Sequence, residues 1–310
     1  MAEGVTGEKI WLDGEFVDWD DGNVHLLTHT LHYGLGVFEG IRCYRSDPSD
    51  GGRSSVFQLG PHVQRLFASA HINMLEIPFT RERVQQAILD VLPANHLDEG
   101  YIRPLVFIGS GAMGLNPADN PIRVAVLAWA WGRYLGDEGV ENGIRAKVST
   151  FSRHHVNAKM TKGKTCGDYV NSILAKREAL LDGYDEAIML DTQGLVSEAT
   201  GENLFLVRDE RVYTPPLPTV LDGITRNAVI QIARDKGIEV VEGALTRDEL
   251  YIADELFLTG TAAEVTPVRE VDHRTIGSGT RGPVTKLLQS SFFDIVRGRD
   301  SKYDRWLTNL

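Results

Sequence analysis

The chain is expected to be an α+β protein built in two parts. Three observations lead there. Short apolar strands bounded by turn residues are mixed with helix-spaced stretches along the whole length. A glycine- and acid-rich segment, WGRYLGDEGVENG at 131–143, interrupts that pattern near the middle. And 310 residues with 42% hydrophobic content suffice for more than one core. The expected division is a smaller α+β part at 1–130, a linker at 131–143 and a larger α+β part at 144–310.

The elements come in this order. IWLDGEFV (10–17) places two apolar-alternating arms around Asp13-Gly14, a hairpin signal. Val63, Leu66, Phe67 and Ala70 recur at helical spacing over 62–72, and a second helix at 81–92 is stopped by Pro93. YIRPLVFIG (101–109) and RVAVLAWAW (123–131) read as buried strands. After the linker come a strand at 144–151, a helix at 168–182, and strands at 186–191, 203–208 and 211–214, the last two joined by Asp209-Glu210. A helix at 225–236 ends at Gly237, and IEVVEGAL is a strand. Thr246 with Glu249 forms a capping-box pattern. ELFLTG is a strand, and Gly282-Pro283 opens a final amphipathic helix. The segment 46–55 reads as a mobile connection, and the first seven residues and the tail after Arg297 as weakly ordered.

Composition excludes several classes. The formal net charge is −11, and no Lys/Arg cluster offers the basic face a nucleic-acid binder needs. Cys43 and Cys166 are far apart with no CxxC spacing, which argues against a disulfide scaffold or a structural zinc site, and no metal is expected. The N-terminus shows no apolar leader, and no run approaches the roughly 18 apolar residues of a membrane span. A reducing cytoplasm is the default location.

Five stretches could carry chemistry. In NAKMTKGKTCGDY (157–169), Ala158 to Thr165 fits a loose phosphate-loop pattern with Lys164 on a nucleotide. The context argues against it: the approach SRHHVN is polar, only one glycine precedes Lys164 inside the loop, and Cys166-Gly167-Asp168 delays the helix. The same lysine stands five positions before Tyr169, a spacing that suggests attachment to an aldehyde cofactor. LDGITR (221–226) sets Gly223 and Thr225 at a helix start, where free N–H groups attract an anion, or where a cap simply closes the helix. LTGTAAE (258–264) is a similar strand end. SEATGENLFLV (197–207) flanks a Thr-Gly turn with Glu198 and Glu202, either surface charges or a carboxylate able to hold a proton on an aromatic nitrogen. HYGLGVFEGIRCY (32–44) mixes aromatics with Gly34, Gly36 and Gly40, a tight strand or a close backbone approach to a ligand. Arg65 lies off the apolar stripe of its helix.

Together with HVQRLFASA and GYIRPLVF, these motifs occur in the order seen in branched-chain-amino-acid aminotransferases. The chain resembles that family from about residue 9 to residue 297. The resemblance implies a two-domain fold-type IV enzyme using pyridoxal 5'-phosphate (PLP). It implies a Schiff base on Lys164, a pyridine-nitrogen contact from Glu198, and a hydrogen bond from Tyr169 to the phenolic oxygen. The phosphate is assigned to Arg65, Ile224, Thr225 and Thr261. Phe38, Gly40, Met113, Leu115, Trp131 and Tyr169 are assigned to the substrate wall, and Tyr33, Arg103 and Tyr134 to a distal carboxylate. Tyr101 with Thr261 and Ala262 is assigned to the α-carboxylate. The expected reaction passes the amine of Leu, Ile or Val to 2-oxoglutarate, giving 2-oxo acids and L-glutamate. A homodimer at least is implied, because a neighbouring subunit completes the substrate site. Asp168 departs from the family's usual asparagine. A D-amino-acid or R-amine transaminase, or aminodeoxychorismate lyase, shares the cofactor site, and a nucleotide-binding module is the alternative of another class.

Overall fold

The computed structural model describes residues 4–47, 49, 51–132 and 135–310. These pack as two units. The first holds the chain up to Trp131 with Gly163–Asp168 and Ile295–Leu310; the second holds Gly132–Lys162 and Tyr169–Asp294. Each is α+β.

In the first unit, β1 (Lys9–Leu12) and β2 (Glu15–Asp18) form the expected hairpin. Asp13 and Gly14 both take positive φ, 50° and 108°, as a two-residue turn matched to strand twist requires. Then come α1 (His29–Tyr33), β3 (Gly36–Phe38), β4 (Ile41–Arg45), β5 (Ser54–Phe57), α2 (Leu59–Ile72), α3 (Arg81–Asp90), β6 (Gly100–Ile108) and β7 (Ile122–Trp129). The sheet runs from the C-terminal strand Leu307–Asn309 through β5, β4, β6, β7 and β1 to β2, with β3 also paired to β6. Alternation along β6 puts Tyr101 and Arg103 on one face. Leu59, His62, Val63, Leu66, Ser69 and Ala70 make the buried stripe of α2. Its apolar members join Val37, Ile41, Ile102 and Val106 in one core.

The second unit begins with α4 (Gly136–Asn142), β8 (Ile144–Val148), α5 (Tyr169–Leu181), β9 (Glu186–Leu190), β10 (Val196–Ala199), β11 (Asn203–Arg208) and β12 (Arg211–Thr214). It continues with α6 (Ile224–Asp235), β13 (Val240–Glu242), α7 (Arg247–Tyr251), β14 (Glu255–Gly260), β15 (Glu264–Val271), β16 (Arg274–Thr275) and α8 (Pro283–Val296). Its sheet order is β10-β9-β8-β15-β14-β11-β12-β13, with β16 on β15. The capping box at Thr246 and Glu249 is formed.

Three segments differ from the sequence reading. The glycine-rich stretch expected as linker contains α4, because Val140 is buried and Gln289 donates to its carbonyl at 2.8 Å; such contacts override weak helix propensity. The tail expected to be weakly ordered adds a strand to β5, from Leu307↔Phe57 to Asn309↔Ser55. The Lys164 turn, placed by sequence with the second part, packs with the first unit. The phosphate-loop alternative also lacks its scaffold. The strand before it ends at Val148, and α5 starts only at Tyr169, after a 3-10 turn at Cys166–Asp168.

Among the described residues no helix is long and apolar enough to cross a membrane. Among them no group of three or more His, Cys, Asp or Glu side chains could hold a metal ion.

Candidate active site

The Lys164 turn is laid against the edge of β3. Thr165 bridges Val37, the Phe38 N–H donates to the Lys164 carbonyl at 3.1 Å, and the Gly167 N–H donates to the Gly34 carbonyl at 2.9 Å. From α2, Ser69 Oγ accepts the Lys164 N–H at 3.0 Å, and Asn73 reaches Thr165 Oγ1 at 3.1 Å. The backbone is therefore fixed on both sides of the lysine, and its side chain starts from a rigid base. The Lys164 Nζ sits 4.9 Å from the centre of the Phe38 ring. Burial, and next the Arg65 guanidinium, push this amine down from the usual lysine range to about 8, against the pull of Glu39 and Tyr101.

Around it stands an aromatic and cationic wall. The Arg103 guanidinium lies 4.7 Å from the Phe38 ring and 5.4 Å from the Tyr101 ring, and Arg103 Nη2 donates to the Tyr101 hydroxyl at 3.2 Å. Trp131 packs edge-on against Tyr101 at 4.7 Å. Gly40 is required here: a Cβ at that position would fall 1.9 Å from the Tyr101 hydroxyl. Arg103 Nε is buried with no hydrogen-bond partner among the described residues, an open donor for an anionic ligand.

Arg65 is not the solvated surface arginine that its off-stripe position suggests. It is held by Glu39, a carboxylate the sequence reading passed over. Oε1 of Glu39 accepts from Arg65 Nε at 2.7 Å, and Oε2 accepts from Arg65 Nη2 at 2.9 Å and from His62 Nδ1 at 2.7 Å. Burial alone would raise the Glu39 carboxyl. Arg65 and the hydrogen bonds from His62 and Arg65 outweigh it and hold Glu39 well below the usual carboxylate range. Burial lowers His62, so it donates as a neutral ring. The available signal was His62 on the apolar stripe of α2 with Arg65 one turn later.

The second unit carries the acid. Glu198, on β10, is buried. Its Oε1 accepts from Arg153 Nε at 3.0 Å and Nη2 at 2.6 Å, and its Oε2 accepts from Asn203 Nδ2 at 3.3 Å and the Leu221 N–H at 3.1 Å. Arg153 is itself tied to Ser172 at 2.8 Å. Glu202, the other glutamate of the motif, has no arginine partner among the described residues. Burial and the neighbouring Glu186 push it up to about 8, so it is mainly protonated at neutral pH. The two acids of one motif are thus separated by their surroundings.

In the same unit, α6 starts at Ile224 after Gly223 with no side-chain cap hydrogen bond, and Thr225 in its first turn is buried. A Cβ on Gly223 would meet Asn203 Oδ1 at 1.9 Å, which keeps this turn tight against the Glu198 cluster. Tyr169 opens α5 and is partly exposed, as are Thr261 and Ala262 in the turn between β14 and β15. Lys162, two residues before Lys164, spends its amine on the carbonyls of Leu217 and Val220.

A family model, Amino-transferase class IV, matches residues 36–271. The chain belongs to the class IV aminotransferase family. Among relatives of this class IV chain, the branched-chain-amino-acid aminotransferase of Pseudomonas aeruginosa is 50% identical over 299 residues, 96% of each chain. The crystal structure of the branched-chain amino acid aminotransferase of Escherichia coli superposes with a TM-score of 0.94 at 45% identity, covering 97% of this chain and 99% of that one. The branched-chain amino acid aminotransferase of Thermobaculum terrenum, crystallised in its PLP form, superposes with a TM-score of 0.92 at 32% identity, covering 99% of both chains.

The residues present fit the class IV cofactor. The first unit brings together Lys164, Arg65, Phe38, Gly40, Tyr101, Arg103 and Trp131. The second brings Glu198 to the turn before Ile224 and Thr225. Tyr33, Met113 and Leu115 stand 44%, 42% and 89% exposed. His29, at the start of α1, is hydrogen-bonded to the Gly114 carbonyl at 2.7 Å, so Tyr33 and the loop carrying Met113 and Leu115 belong to one surface. Tyr134 lies outside the described residues.

Proposed function

We propose that this protein is a branched-chain-amino-acid aminotransferase that uses PLP and passes the amine of Leu, Ile or Val to 2-oxoglutarate. The observation that carries this reading is the Lys164 amine, lowered to about 8 on a rigid turn beside an arginine and an aromatic wall. When bound, PLP supplies an aldehyde for the amine and a ring that withdraws electrons from the substrate Cα.

The chain's own residues do the rest. Lys164 Nζ would attach the cofactor; once released it would take the proton from the substrate Cα and deliver it to the carbon of the former aldehyde, work that contributes roughly 10²–10⁴-fold. Glu198 keeps a proton on the ring nitrogen, with Arg153 and Asn203 fixing its direction. Tyr169 donates to the phenolic oxygen. Arg65, the N–H groups of Ile224 and Thr225, and Thr261 hold the phosphate.

Phe38, Gly40 and Trp131, with Tyr169, take the branched side chain. Arg103 Nε, the open donor, and Tyr134 meet the distal carboxylate of glutamate or 2-oxoglutarate. Tyr101, Thr261 and Ala262 take the α-carboxylate. Tyr33, Met113 and Leu115 are assigned to the substrate site of a second copy, which their exposure supports, and the functional unit is then a homodimer at least. The assigned location is the cytoplasm.

The test is product formation. L-Leucine with 2-oxoglutarate should yield L-glutamate and the branched 2-oxo acid, and D-leucine should not. Turnover of D-leucine or of an (R)-amine, with none of L-leucine, would overturn the reading.

A further inference from the structure

The role of Glu39 rests on the proposed contact between Arg65 and the cofactor's phosphate. The Arg65 guanidinium is not left to find that anion by itself. Its Nε and Nη2 edge lies end-on against the Glu39 carboxylate, with one nitrogen on each oxygen. That two-point contact fixes the guanidinium plane. His62, one helical turn back on α2, donates to the same carboxylate and is 1% exposed; Glu39 is wholly buried and Arg65 is 13% exposed. Glu39 is anchored in turn, because its own N–H donates to the Pro104 carbonyl at 2.9 Å. The carboxylate thus joins α2 to the β3–β4 connection and has little freedom to follow the arginine.

Two physical effects of Glu39 oppose each other. As an anion beside Arg65 it cancels positive charge and weakens the long-range pull on a phosphate. As a rigid acceptor it removes the rotamer freedom that a long arginine side chain otherwise loses on binding. A carboxylate placed only to lower the field would be a poor choice next to an anion site. A carboxylate placed to aim a fork-shaped donor must meet it along one edge, as this one does. We propose that Glu39, braced by His62, is a positioning residue that aims Arg65 at the phosphate of the cofactor. It touches neither substrate nor cofactor and acts through Arg65.

The test separates phosphate recognition from general integrity. Full-length protein, stripped of cofactor, is titrated with PLP and with pyridoxal, which keeps the aldehyde and lacks the phosphate. Glu39→Gln is nearly isosteric but turns a donor toward Arg65 or His62. It should weaken PLP by roughly 10–100-fold, the range found when a metal ligand loses its orienting partner. Pyridoxal affinity should change by no more than about twofold, the scatter of independent sites. Glu39→Asp keeps the charge and should fall between wild type and Glu39→Gln. If Glu39→Gln does not fold, His62→Leu removes one of the three bonds and should give a smaller loss, again for PLP alone. Arg65→Ala should sharply reduce the preference for PLP over pyridoxal, leaving what Ile224, Thr225 and Thr261 supply, and in that background Glu39→Gln should have no further phosphate-specific effect.

Unchanged or tighter PLP binding in Glu39→Gln, or equal weakening of PLP and pyridoxal, overturns the inference while leaving Arg65 as a phosphate ligand. An Arg65→Ala protein that still prefers PLP as wild type does overturns the reading of Arg65, and the inference with it.

Discussion

Replacing Arg153 by methionine removes the guanidinium from Glu198 and leaves a carboxylate with no cation in its place. The two side chains are only 7% and 6% exposed, and their closest approach is 2.6 Å. Water cannot easily take over the lost bonds. Breaking such a buried pair from one side costs about 3–5 kcal/mol. At roughly 2–4 °C per kcal/mol for a domain of this size, the melting temperature of the cofactor-free protein should fall by about 6–20 °C. The double variant Arg153→Met with Glu198→Gln strands no charge, and the Asn203 and Leu221 contacts can persist on the amide oxygen. It should therefore be more stable than the sum of the single changes by about 0.5–3 kcal/mol. Circular dichroism melts of the four proteins close the cycle. A single-variant shift below about 2 °C, or strict additivity in the double variant, would refute the argument that the fold keeps Glu198 in place through its arginine.

Other expectations come from single features. With Lys164 at about 8, the neutral, attacking amine is about a tenth of the total at pH 7 and about nine-tenths at pH 9, so cofactor attachment should speed up severalfold across that range; a flat profile would contradict it. Because the folded value lies below the unfolded one, the cofactor-free protein should also gain stability as pH rises from about 8 towards the unfolded amine's value, and Lys164→Met should remove that slope in pH-dependent urea melts. Gly40→Ala places a methyl where the Tyr101 hydroxyl stands, costing about 1–3 kcal/mol and displacing the partner of Arg103; a KM for 2-oxoglutarate equal to wild type would argue against the assigned contact. Thr246→Ala opens the capping box of α7 and should cost about 0.5–2 kcal/mol with turnover unchanged, checked by melting and by steady-state rates.

Local rules made much of this fold readable from the chain. Asp13-Gly14, the Thr246 cap and Pro283 each act within a few residues, and each is found where its chemistry puts it. Lys164 stood out from Lys162 and Lys159 by its spacing to Tyr169, and the structure adds a reason of its own for Lys162, whose amine is taken by two carbonyls. What escaped depends on partners distant in sequence. Nothing near Val140 announces a helix, since its support comes from Gln289. The strand at Leu307 becomes legible only beside β5. Glu39 sits among glycines and aromatics and reads as an odd charge in a strand, until α2 brings His62 and Arg65 to it. Arg153, in the polar approach SRHHVN, has nothing beside it in the chain to mark it; its destination is a carboxylate 45 positions on. Residue spacing reports single elements, whereas a buried charge cluster is a property of several packed together.

The most direct measurement is to reduce the purified, cofactor-loaded protein with borohydride, digest it and sequence the pyridoxyl-bearing peptide by mass spectrometry. The account predicts one tagged residue, Lys164, and no tag in a Lys164→Ala protein. A tag on Lys159 or Lys162, or no tagged peptide from active wild-type protein, would contradict it.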